Sequence, residues 1–152
     1  MRRYIAIETA ISVVINVGFS ALFFYLVFGR SERIELWGPH GFAFDYFPQT
    51  FMITLMAVIV PTILTRKRAN SGKVARRESA IGARLPRNVV LRALLLAALA
   101  AVVMGAVAVW ITDSFWSGDP THLKLLELKM AYGAVVAAIM TPIGLIAALS
   151  DP

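Results

Sequence analysis

Four runs without a single charged residue constrain this chain more than anything else in it. They are Thr9–Gly29, Tyr46–Thr65, Ala93–Thr112 and Met130–Ser150, of 21, 20, 20 and 21 residues. At about 1.5 Å rise per residue each forms a helix of roughly 30 Å, the thickness of a bilayer's hydrocarbon core. A helix also satisfies its own backbone hydrogen bonds, as lipid demands. The expected fold is an all-α, four-transmembrane-helix bundle. Its helices lie at about 4–29, 45–65, 86–112 and 120–150, in a single integral membrane domain over 1–152. A basic loop covers 66–87. Composition agrees: 59% of the 152 residues are hydrophobic and 16% charged, too apolar for one water-facing core of this size. A signal peptide is the competing reading of the first run. The run is too long for a cleavable segment, so the first helix is expected to stay in the mature protein.

The formal net charge of +6 raises the question of nucleic acid. The positions of the charges answer it. Eleven of the fifteen Lys and Arg lie before the first run, between the second and third, or at the start of the third. The positive-inside rule then puts both termini and the central loop in the cytoplasm, in an inner (plasma) membrane. The charge is an orientation signal and no nucleic-acid partner is expected. The loop residues Arg66, Lys67, Arg68, Lys73, Arg76 and Arg77 are expected to face the anionic inner leaflet. There is no cysteine, hence no disulfide and no thiolate ligand.

Helix ends follow from local signals. Asp119-Pro120 reads as N-cap and first turn of the fourth helix, Pro86 as first turn of the third, and Asp45 or Phe47 as cap of the second with Pro48 in its first turn. Trp37, Phe42, Phe44, Tyr46, Phe47, Trp110, Trp116 and Tyr132 take aromatic-belt positions. Lys124 and Lys129 are expected to snorkel.

The chain reads as two in-out-in hairpins related as a parallel repeat. A shift of 81 residues puts Pro61 on Pro142, each expected to kink its helix. Four-residue spacing puts side chains on one face. The first helix carries a polar ridge, Glu8-Ser12-Asn16-Ser20, and the third a small-residue packing ridge, Ala93-Ala97-Ala101-Gly105. The fourth has a shorter one, Gly133-Ala137-Thr141. Small residues let helices approach closely, and the first and third helices are expected to meet along their ridges.

Few residues carry chemistry. Asn16 is the strongly polar side chain nearest the middle of a span, and interhelical hydrogen bonding is its ordinary role. Glu8 lies about one turn inside the boundary, within reach of Arg2 and Arg3; proton coupling is its sharper reading. Asp45 and Gln49 suggest an outward polar vestibule. His40 and His122 with Asp45 and Asp119 lack metal-site spacing. No metal or cofactor is expected, nor catalysis. The expected function is that of a non-enzymatic inner-membrane protein acting through helix packing, as an accessory subunit or homo-oligomer. The alternative is a small transporter or channel formed by oligomerisation around Asn16 and Glu8.

Overall fold

A computed structural model of the chain describes residues 2–29, 34–39, 41–116, 118 and 121–151, apart from the side chain of Ile81. Helices α1 (Arg2–Phe28), α2 (Phe42–Asn70), α4 (Val89–Phe115) and α5 (His122–Leu149) are each long and apolar enough to cross a membrane. A five-residue helix, α3 (Ala80–Arg84), lies between α2 and α4. Among the described residues there is no strand. The fold is a four-helix membrane bundle. Its long helices run to 27–29 residues. That is about 40 Å, so they project past a 30 Å core or tilt within it.

Several ends differ from the sequence signals. The start of α2 is Phe42, with Gly41 at the cap position and no side-chain cap. The preceding loop does the capping: Phe42 and Ala43 donate backbone hydrogen bonds to Glu35 and Leu36 carbonyls at 2.9 and 3.0 Å. A Cβ on Gly41 would stand 2.6 Å from the Trp37 backbone, so this turn has room for glycine alone. Neither Asp45 nor Phe47 is therefore the cap, and Pro48 lies inside the helix. Pro86 lies before α4, which Asn88 caps by accepting from the Val90 and Leu91 amides. Thr121 caps α5; Asp119 and Pro120 fall outside the described residues. Arg66, Lys67 and Arg68 belong to the last turns of α2 rather than to a loop.

The helix pairing corrects the expected contact of α1 with α4. Instead α1 packs on α5, α4 packs on α2, and α2 packs on α5, while the backbones of α1 and α2 approach at few points and are bridged by side chains. Exchanging the hairpins α1–α2 and α4–α5 leaves this pattern unchanged. The ridges are used, but with other partners. Ser12 accepts a hydrogen bond from Thr141 at 2.7 Å. Ser20 sits where a Cβ on Gly133 would be. Gly105 lies under the Phe47 ring, 2.8 Å from where its Cβ would be. On α4 the buried stripe runs through Ala93, Ala97 and Ala100, leaving Ala101 half-buried. Both α2 and α5 continue through Pro61 and Pro142. Gly144 packs against Val58 and the Ala57 carbonyl, the one that Pro61 leaves without its helical donor. Cysteines at Ser12 and Thr141 are expected to form a disulfide readily, and a pair at Asn16 and Ala97 to form none; gel mobility under oxidation reads the difference.

The aromatic residues divide. Trp37, Phe44 and Trp110 are exposed on the flanks. Phe42 and Tyr46 are buried, and with Phe24 and Leu125 they form the core at the end opposite the basic loop. Tyr46 bonds Thr112 at 3.0 Å, joining α2 to α4.

Candidate functional site

Because α1 leans on α5 and leaves α2, a cleft of about 410 Å³ opens between α1 and α2. Its walls are Phe19, Phe23, Val27, Met52 and Met56, all substantially exposed. Asn16, Ser20, Asp45, Gln49 and Lys129 supply its polar atoms. The helical register explains the grouping. Asn16 and Ser20 are successive members of the α1 ridge, Asp45 and Gln49 are four apart on α2, and Lys129 lies four residues before Gly133 on α5.

Lys129 does not snorkel. It is 1% exposed, its ammonium donates to the Asp45 carboxylate, and it stands 5.5 Å from the centre of the Phe28 ring. A buried cation demands such partners. Gln49 donates through Nε2 to Ser20 Oγ at 3.1 Å and to the Lys129 carbonyl at 3.0 Å, tying all three helices together. Asn16 is 3% exposed and donates to the Ser12 carbonyl at 2.8 Å and to Ser12 Oγ at 3.3 Å. Its carboxamide oxygen takes no part in these bonds, and the Gln49 carboxamide oxygen is buried with no partner among the described residues. Asp45 and Gln49, expected to form an outward polar vestibule, both line this lateral cleft.

Glu8 is elsewhere. It pairs with Arg68 of α2, not with Arg2 or Arg3, and Arg68 also donates to the Tyr4 hydroxyl at 3.1 Å. Tyr4 bonds Thr65 at 2.9 Å. His122 contacts the Gly29 carbonyl at 3.1 Å and packs edge-on to Phe24. His40 lies outside the described residues.

A second charged cluster closes the basic end. Arg92 of α4 is fully buried and grips Asp151 with both terminal nitrogens, at 3.0 and 2.7 Å. Arg66 of α2 donates to the same carboxylate at 2.9 Å, and Arg76 to the Asp151 carbonyl at 3.0 Å. Burial pushes the Asp151 carboxyl up, but hydrogen bonds from Arg92 and Arg66 and their charges outweigh it and hold the group below its ordinary range. The basic segment is docked there too: Arg77 donates its amide to the Leu149 carbonyl at 2.9 Å, and Ser150 bonds Ser79 at 3.1 Å. Of the six basic residues expected to face lipid, Arg66, Arg68 and Arg76 are therefore engaged within the protein, while Lys67, Lys73 and Arg77 have exposed side chains.

Sequence reasoning missed Lys129 and the Arg92–Asp151 pair. Extending the Gly133-Ala137-Thr141 ridge back by four would have found Lys129. Nothing in the local pattern marks Arg92, which lies near the start of α4 just before its uncharged run.

Compared with known protein families, curated proteins and solved structures, the chain has no significant match in any of the three.

Proposed function

We propose that the protein is a non-enzymatic inner-membrane protein that acts through helix packing, as an accessory subunit or a homo-oligomer. One observation carries this reading. The buried ionised groups are matched across elements: Lys129 with Asp45, and Arg92 with Asp151, which also meets Arg66, while Arg68 pairs with Glu8 near the same end. Groups held in this way fasten helices rather than react. The peripheral helices α1 and α4 each turn a long apolar face outward, through Ile11, Val14, Ile15 and Leu22 on one and Leu95, Leu99, Val102 and Val103 on the other. Such faces suit lipid and neighbouring helices alike. The basic end is read as cytoplasmic, with Lys67, Lys73 and Arg77 against the anionic leaflet.

Mass determination of the particle in native lipid tests the proposal. A fixed stoichiometric companion or a defined homo-oligomer is expected; a lone protomer would overturn it. The second reading, a small transporter formed by oligomerisation around Asn16 and Glu8, is favoured by the place of Asn16 on the cleft. There Glu8→Gln would abolish pH-dependent flux in liposomes while leaving assembly intact.

A further inference from the structure

We propose that the cleft between α1 and α2 is a binding site for a neutral, single-chain lipid alcohol drawn from the bilayer. This goes beyond the packing role and does not depend on it. Cavities of roughly 300–1,000 Å³ with apolar walls and a few convergent polar groups are the usual form of a small-molecule site. This one, at about 410 Å³, has room for one chain. Its exposed walls, Phe23, Val27, Met52 and Met56, belong to membrane-spanning helices, so the occupant enters from lipid.

The polar atoms specify the head. Ser20 and the Gln49 amide nitrogen are bonded to each other, and Asn16 spends its amide hydrogens on Ser12. Among what is left are two amide oxygens, that of Asn16 and that of Gln49, the latter buried without a partner, and an acceptor in hydrocarbon without a donor costs free energy. The occupant must therefore bring a donor. It must also be neutral, because Lys129 and Asp45 cancel each other at the mouth and the ammonium is buried. A phosphate head would find no free cation among the residues that line the cleft. A hydroxyl on an aliphatic chain meets each requirement: the O–H donates to Asn16, and the chain lies along Phe19, Met52 and Met56.

The test uses the full-length protein in nanodiscs, with 1-monooleoylglycerol as probe and its dimethyl ether as the control that lacks a donor. Native mass spectrometry counts the bound molecules. One molecule of 1-monooleoylglycerol per protomer is expected, saturably, with the ether binding about tenfold more weakly. Asn16→Leu should lose the same factor. Met52→Trp fills the cleft from its exposed side, and it should abolish binding with the fold intact by circular dichroism. Equal binding of alcohol and ether, or unchanged binding by Met52→Trp, would overturn the proposal. So would a disulfide between Met52→Cys residues of two protomers, which would assign the cleft to a second copy.

Discussion

Replacing Lys129 with methionine is expected to destabilise the protein by roughly 3–5 kcal/mol, the usual cost of leaving a buried charge without its partner. The orphan would be Asp45, whose carboxylate lies at the mouth of the cleft and meets the Lys129 ammonium. Asp45→Leu should cost a comparable amount, since Lys129 would then sit buried beside the Phe28 ring with no anion. The double variant should return to within about 2 kcal/mol of the parent, because an apolar pair of similar volume replaces a buried ion pair with little loss. Unfolding in mixed micelles of rising sodium dodecyl sulfate reads all three. Strictly additive losses would mean that the two side chains act separately.

The second large effect concerns the basic end. Asp151→Asn leaves Arg92 buried and uncompensated, and a loss of about 3 kcal/mol is expected at neutral pH. The pH dependence follows from the lowered carboxyl. Its native pKa lies below its unfolded value, near 3.9, so the carboxylate contributes stability above that value. The contribution fades as pH falls through the native pKa. Parent and variant should therefore differ by a constant amount from about pH 5 to 7 and converge below about pH 4. Unfolding measured in the same micelles at a series of pH values checks this. A difference that persists undiminished at low pH would show that the Asp151 carboxylate is not its source.

The spans were legible because lipid imposes a length, and uncharged runs of 20 or 21 residues meet it. The packing faces were legible too, as four-residue ridges. Which ridge meets which was not. Ser12-Asn16-Ser20 fits the small residues of α4 as well as those of α5, and side-chain size alone does not choose between them. What distinguishes α5 is Thr141, which offers Ser12 a hydrogen bond where alanine has none, and Gly133, which leaves room for Ser20. The site was half legible. Asp45, Gln49 and Asn16 stood out as polar groups in apolar surroundings, but Lys129 looked like a boundary residue because it precedes the uncharged run. Arg92 and Asp151 lie 59 residues apart, and nothing local announces a pair at that separation.

The exchanged partnership of the hairpins has a consequence for biogenesis. Ribosomes deliver α1 and α2 first, and these two meet mainly through side chains, Glu8 with Arg68, Tyr4 with Thr65 and Ser20 with Gln49, whereas the backbone of α1 packs closely only on α5. Until α5 arrives, Ser12 lacks the Thr141 hydroxyl and Ser20 lacks Gly133 beside it. Each hairpin is thus an unfinished half until α5 packs on both α1 and α2.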